Sequence, residues 1–292
     1  MPVNSKINRM RASDYVIYVF LALTAAGCLI PFLYMVSVSL TDPSVYRPFT
    51  FQIIPQKFSL EAYEFILSMS AFINSLKSTL FVTVVGVVCS LIVTICFAYG
   101  LTKTRVFGYR LVHTMVIITL FFSAGTIPTF LVVRNLGLLN SHWALILSAL
   151  TSAWDIVVVR SFFLSIPSTL EEAARIDGCN DMGIFLRIIL PLSMPVIATF
   201  TLFFAVRHWN TYFNALIYIS DTRKWTLQLL VKMLVIDSAG TGFNQPVGAD
   251  VQPPQETIRM AAVVLSMIPI MCVYPFLQKH FAKGVMLGSI KG

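Results

Sequence analysis

Hydrophobic residues along this chain fall into six long stretches that are separated by polar segments. A helix of roughly 20 residues crosses a hydrocarbon core about 30 Å thick, and each stretch is long enough to do so. The pattern therefore predicts an all-α membrane protein with six transmembrane helices in a single domain, 1–292. The predicted spans lie at about 15–40, 74–101, 110–133, 141–164, 187–219 and 259–280.

The fifth stretch is too long for one straight crossing. Pro191 and Pro195 lie at its start, and the polar run Arg207–Tyr212 lies near its middle. Proline removes a backbone donor from a helix, and polar groups at membrane depth need partners. Both features predict a bend or a change of direction.

Two long polar segments, 41–73 and 220–258, lie between predicted spans on the same side of the membrane. The first contains turn signals and a predicted short helix that begins after Ser59. The second begins as an amphipathic helix over Thr226–Ile236 and then becomes rich in glycine and proline. Such loops are either flexible connections or surfaces where partners dock.

Basic residues predict the orientation of the spans, because cytoplasmic loops are enriched in lysine and arginine. With the N-terminus inside, few basic residues face outward, chiefly Arg47, Lys57 and Arg134. Both termini are then cytoplasmic, and the first helix, too long for a signal peptide, is expected to stay as an anchor. The inner residues are Lys6, Arg9, Arg11, Lys103, Arg105, Arg110, Arg175, Arg187, Lys279, Lys283 and Lys291.

Composition supports the membrane assignment and excludes several functions. The chain is 57% hydrophobic and 12% charged, with a mean hydropathy of +0.80. The basic residues behind its net charge of +8 do not form the clustered face of a nucleic-acid-binding protein. They are expected to interact with an anionic lipid bilayer. No Gly-x4-Gly-Lys-Ser/Thr sequence is present, so any ATP and magnesium must be bound by another chain. Scattered cysteines and histidines predict no metal site.

A charged, helix-forming segment lies between the fourth and fifth stretches. Ser168 and Glu171 are spaced as a capping box after Pro167, and Ala174 is a strong helix former. Gly178 predicts a left-handed C-cap that ends the helix. On composition alone, an ordinary interfacial helix explains these features equally well.

The spacing Glu172-Ala173-Ala174-x3-Gly178-x9-Ile188-x-Leu190-Pro191 resembles the "EAA loop" of permease subunits in bacterial ABC importers. The resemblance implies the type I permease fold and makes 165–191 a coupling loop whose helix docks on a cytoplasmic ATPase. It also implies a second homologous permease subunit, a pair of ATPases, a solute-binding protein outside, and a bacterial cytoplasmic membrane. The implied ATPase-coupling residues are Glu171, Glu172, Ala173, Ala174, Asp177, Gly178, Ile188, Leu190 and Pro191.

The C-terminal sequence resembles the glycine-rich tail of carbohydrate importer permeases of the maltose-permease type. In that family the tail reaches the interface between the two ATPases, which would place four residues of this chain there: Gly284, Gly288, Lys291 and Gly292. Within the family the chain resembles the branch for complex oligosaccharides, including lipoprotein-associated polysaccharide permeases. An oligosaccharide is therefore the expected substrate, with a non-sugar solute as the alternative.

Sugars bind to aromatic faces and to side chains that both donate and accept hydrogen bonds. One segment of the fifth stretch offers such residues and resembles a Trp-Asn-x-Phe/Tyr segment of these permeases: Trp209, Asn210, Tyr212, Phe213 and Asn214. Lys77 and Arg207 are candidates to attract an anionic sugar such as a uronate oligomer. Anchoring at the membrane interface is the alternative role for all seven residues.

Two other classes of protein fit the sequence less well. An ion-coupled secondary transporter needs several buried acids, but Asp155 is the one candidate, and it is expected to pair with a basic group or to face a subunit interface. A membrane-embedded enzyme needs clustered acids and histidines or a Ser/Lys pair, which the sequence lacks. No catalytic residue is therefore assigned.

Overall fold

The computed structural model describes residues 12–47, 50, 52–236 and 255–288, and these residues are predominantly helical. Within them no strand forms, and the one extended pairing is an isolated bridge between Thr41 and Phe58. The helices are α1 Ala12–Ser39, α2 Glu61–Ser68, α3 Ser70–Gly100, α4 Tyr109–Phe121, α5 Thr126–Asn135, α6 His142–Ser148, α7 Ala153–Ser165, α8 Ser168–Ile176, α9 Asp181–Leu192, α10 Met194–Trp209, α11 Phe213–Tyr218, α12 Leu227–Ile236 and α13 Gln255–Gly288.

The helices divide into two compact units. The first contains α1, α2 and the beginning of α13. Two contacts between Asp42 and Lys57 close its loop between α1 and α2. Asp42 N donates to Lys57 O at 2.9 Å, and the side chains of the two residues form an ion pair at 2.6 Å. Hydrogen bonds from Lys57 and Ser44 lower the pKa of Asp42 to about 2. Ser59 Oγ accepts from Glu61 N at 3.2 Å, which confirms the predicted start of the short helix.

The second unit contains α3 to α12 and the remainder of α13, and α3 is its central helix. Small residues on α3 permit close approach of its neighbours. A Cβ atom added at Gly86 would lie 2.8 Å from the buried ring of His208 on α10, whose Nε2 lies 3.0 Å from Ser90 Oγ. Close packing therefore joins α3 to the fifth hydrophobic stretch.

Among the described residues, two helical segments are long and apolar enough to cross a membrane, Asp14–Ser39 and Ser70–Gly100. Two further pairs qualify if each counts as one bent span: α6 with α7, bent by 52°, and α9 with α10, bent by 77°. The third predicted span is divided into α4 and α5 at Gly125, whose φ of 82° interrupts a helix. The third and fourth predicted spans each contain a break, and six crossings of the membrane remain a prediction.

The predicted bend in the fifth stretch is confirmed. Residues Phe185–Ile189 form a π-helical turn in which Leu190 N bonds to Phe185 O. A proline ring would clash with the carbonyl four residues earlier in a regular α-helix, and this wider turn precedes Pro191. Pro195 then lies in the first turn of α10, where its missing donor costs nothing.

Candidate functional site

The helix α8 begins at Ser168, with Pro167 as its N-cap. The predicted capping box is wrong, because Ser168 is already the first helical residue and makes no side-chain cap. Glu171 instead accepts a hydrogen bond from Lys103 Nζ at 2.5 Å, and both side chains are about three-quarters buried (24% and 25% exposed). The acidic side chain thus joins α8 to the segment that follows α3.

The end of α8 is a Schellman motif centred on Gly178. Its φ is 83°, its N donates to Arg175 O at 3.1 Å, and Cys179 N donates to Ala174 O at 2.9 Å. A Cβ atom added at Gly178 would meet nothing within 4 Å. The predicted left-handed cap is therefore confirmed, and glycine is required there by backbone conformation rather than by space.

The two alanines of the sequence motif differ in exposure, because successive residues of an α-helix point about 100° apart. Ala174 is the one buried residue of this fully described helix and packs in a cluster with Phe163 and Ile184. Ala173 is exposed, and so, three residues later on the same helix, is Ile176, at 86% exposure. Removing such an apolar side chain from water favours association with a partner. Thr169, Leu170 and Glu172 of α8 are exposed as well.

Aromatic packing supports the inner side of α8. The Tyr99 ring stacks on Phe185 at 4.6 Å and meets Phe163 edge-on at 6.2 Å. Lys103 Nζ lies 4.6 Å from the Tyr99 ring centroid. Burial disfavours the charged form of Lys103, but the hydrogen bond to Glu171 and the neighbouring Tyr99 outweigh it and raise its pKa above the usual value. A displacement of α8 would therefore be transmitted to α3.

The second half of the motif belongs to the bent entry of the fifth stretch. Ile188 and Leu190 are half-buried against the same core cluster that contains Ala174, and Pro191 is exposed. Ile188 and Leu190 therefore help to pack α9 against α8 through this cluster.

The polar break in the fifth stretch is also a break in the helix. α10 ends at Trp209 and α11 begins at Phe213, so Asn210 lies just after α10 and Asn214 lies on α11. Their spacing of four residues would place these two amides on one face of a continuous helix, and the break excludes that arrangement. Asn210 is exposed and Asn214 half-buried, and the latter donates to Ser148 Oγ at 3.3 Å.

The aromatic residues at this break differ in accessibility. Trp209 is only 3% exposed, and its Nε1 donates to Ser266 O at 3.3 Å. Its ring thus packs within the protein and presents little free surface in this conformation. Tyr212 is half-buried and Phe213 is 53% exposed, so both present ring surface.

Asp155 and Arg207 form a bidentate ion pair, with Nη1 to Oδ2 at 2.7 Å and Nη2 to Oδ1 at 2.9 Å. Asp155 is fully buried, and its carboxylate also accepts from Ser152 N at 2.8 Å in a capping box at the start of α7. The predicted pairing of Asp155 with a basic group is confirmed. Lys77, in contrast, is exposed on α3 and forms no ion pair with a described residue.

Sequence reasoning missed the contacts that join the end of α3 to its neighbours. Arg160 on α7 donates from Nε to Leu101 O and from Nη2 to Tyr109 Oη, both at 2.9 Å. Lys103 and Glu171 are 68 positions apart, so no local spacing could have linked them. The predicted tail residues Gly284 and Gly288 lie in the last turns of α13, while Lys291 and Gly292 lie outside the described residues.

Comparison with known proteins agrees with the loop motif. Residues 11–287 match the family described as binding-protein-dependent transport system inner membrane component. The chain is 46% identical over 283 residues to a Bacillus subtilis protein named polygalacturonan/rhamnogalacturonan transport system permease protein YtcP, covering 97% of this chain and 99% of that one. It is 43% identical over 282 residues to protein LplC of the same organism, covering 97% and 96%.

The fold agrees with that of a solved transporter. A chain from the crystal structure of a bacterial ABC transporter involved in the import of the acidic polysaccharide alginate superposes with a TM-score of 0.86 at 35% identity, covering 96% of this chain and all of that one. Sequence, fold and loop motif agree, and this chain belongs to the family of inner membrane components of binding-protein-dependent transport systems.

Proposed function

We propose that this chain is one of two permease subunits of an ATP-driven importer that brings acidic oligosaccharides into the bacterial cytoplasm. The observation that carries the coupling role is α8, which is joined through Glu171 and Lys103 to the segment that follows α3 and presents the exposed Ile176 to solvent. ATP binding would close the two ATPases, move α8 with its docking cleft, and tilt the attached helices toward the outward-open state.

An acidic sugar is supported by the relatives, whose named substrates are alginate and polygalacturonan. Such sugars carry carboxylates, and a basic side chain in the path that has no acidic partner would attract them. Arg207 is already neutralised by Asp155, so Lys77 is the better candidate for this attraction. Tyr212, Phe213 and the exposed Asn210 are the residues we assign to the sugar rings, and Trp209 to their support.

The remaining parts of the proposal concern topology and partners. Six crossings with both termini in the cytoplasm place α8 on the side of the ATPases, and place loops 41–73 and 220–258 outside, where the solute-binding protein would dock. The subunit itself would be non-catalytic, with ATP and magnesium on the ATPase chains. The Asp155–Arg207 ion pair argues against an ion-coupled transporter, because the buried carboxylate that such coupling would use is already bound to an arginine.

Uptake by the complete importer in proteoliposomes tests this function. The assay compares an oligogalacturonate with a neutral oligosaccharide of the same length, with ATP or a proton gradient as the energy source. We expect ATP-dependent uptake that requires the binding protein and favours the acidic sugar. Equal uptake of the neutral sugar, or uptake of a non-sugar solute instead, would contradict the substrate class. Gradient-driven uptake without ATP would contradict the coupling mechanism.

A further inference from the structure

An open apolar groove lies at the end of α3 that carries the coupling contacts. Its volume is about 550 Å³, within the range of ligand-sized clefts. Ile92, Cys96 and Gly100 on the last turns of α3 form one side, and Tyr109 and Val112 on α4 form the other. Nearly all of its lining surface is apolar.

Hydrogen bonds hold the two sides of this groove together. Arg160 bonds at once to Leu101 O at the end of α3 and to Tyr109 Oη at the start of α4. The connecting loop turns at Gly108, whose φ is 79°. The groove is thus formed by fixed elements and does not depend on a bound molecule to shape it.

Two arginines flank the groove without an ionic partner. Arg105 precedes the lining residue Val106, and Arg110 follows the lining residue Tyr109. Both are exposed, and neither forms an ion pair with a described residue. Between them, the fully exposed Phe107 extends an apolar ring from the loop. Apolar side chains beside free cations are typical of a segment at a lipid–water interface.

We propose that this groove binds one anionic phospholipid of the inner leaflet, with an acyl chain in the groove and the phosphate on Arg105 and Arg110. Guanidinium groups bind phosphate oxygens in a bidentate manner, and the apolar lining removes acyl CH₂ groups from competition with water. A zwitterionic lipid carries its own cation and gains less from the two arginines. The site rests on the proposed topology, which places α8 in the cytoplasm, but not on the nature of the transported solute.

Gly100 allows the groove to be filled without disturbing the fold. A Cβ atom added there meets nothing within 4 Å, and the φ of Gly100 is not in the left-handed region. Gly100→Leu should therefore place its side chain in the groove. Arg105→Gln with Arg110→Gln removes the charges and leaves the groove open, and Arg134→Gln at the exposed end of α5 is the matched control for loss of one charge.

Native mass spectrometry of the complete importer in detergent measures the result, with phosphatidylglycerol and phosphatidylcholine of the same acyl chains as competing probes. We expect preferential retention of one phosphatidylglycerol. The double arginine variant should bind it about tenfold more weakly, Gly100→Leu should also lose it, and Arg134→Gln should retain it. The spectra also report whether each variant still assembles.

Other outcomes would overturn the proposal. Equal retention of both lipids, or a preference that survives both variants, would exclude this site. Loss in the arginine variant alone would mean diffuse attraction to the surface rather than binding in the groove. Loss of the second permease from Gly100→Leu, without any change in lipid, would make the groove a protein interface. Failure to import acidic sugars would leave the lipid result unchanged.

Discussion

Replacing Gly178 tests whether the end of α8 must have its observed shape. The φ of 83° disfavours any side chain, and Gly178→Val would place a β-branched residue there, although an added Cβ atom meets nothing within 4 Å. The cost is therefore backbone strain, about 1–2 kcal/mol. Relaxing this strain would break the bonds from Gly178 N and Cys179 N, which are worth about 1 kcal/mol each.

A loss of this size lowers the population of the native helix end by roughly 5- to 30-fold. ATP-dependent uptake and co-purification of the ATPases should fall by up to that factor, while the amount of protein in the membrane stays unchanged. Gly178→Asn should retain most of the activity, because asparagine tolerates the left-handed conformation.

Gly137 supplies a matched control for the same assays. Its φ of 67° is also left-handed, a Cβ atom there meets nothing within 4 Å, and it follows α5 at a distance in sequence from the coupling loop. Gly137→Val should carry similar strain and leave ATPase association intact. Normal uptake by Gly178→Val, or equal loss of ATPase from the variants at both positions, would refute the reasoning.

Three further predictions concern the contacts around the site. Asp155→Ala should lower the stability of the subunit by about 3 kcal/mol in a thermal unfolding assay, because it leaves Arg207 without its buried partner. A second change, Arg207→Met, should restore part of this loss, and additive losses would contradict the prediction. Trp209→Ala should also lower the stability of the subunit by about 3 kcal/mol, because it removes a buried ring. Asn210→Ala should leave the stability unchanged and slow uptake. If Trp209→Ala instead slowed uptake and left the stability unchanged, the tryptophan would contact the sugar. Lys103→Met should weaken ATP-coupled uptake. Because the pKa of Lys103 is raised, the wild-type ion pair should persist as the pH is raised from neutral and be lost in strongly alkaline solution. Loss of coupling on a small rise of pH from neutrality would contradict this.

Local sequence signals predicted the features of this protein that depend on nearby residues. Gly178 ends α8 because the backbone there is left-handed, and Pro191 follows a widened turn because its ring opposes a regular helix. Both effects act within one or two turns, so the residues alone indicate them.

Contacts between distant segments could not be predicted in the same way. Glu171 has the spacing of a capping-box residue, but its carboxylate accepts a hydrogen bond from Lys103, which is remote in sequence. Trp209 suggested a sugar-binding face, yet tertiary packing buries it, and the break after it separates Asn210 from Asn214. Spacing along the chain gives a helical face only if the helix is continuous.

Crosslinking from the exposed side of α8 tests the central claim most directly. In an importer whose native cysteines have been replaced, Ile176→Cys should crosslink to the ATPase, and the yield should change when ATP is added. Phe107→Cys is the matched control, since that side chain is also exposed but lies in the proposed lipid-binding loop. Selective, ATP-sensitive capture of the ATPase from position 176 is the predicted result. No capture from that position, or equal capture from both, would contradict the assignment of α8 as the coupling helix.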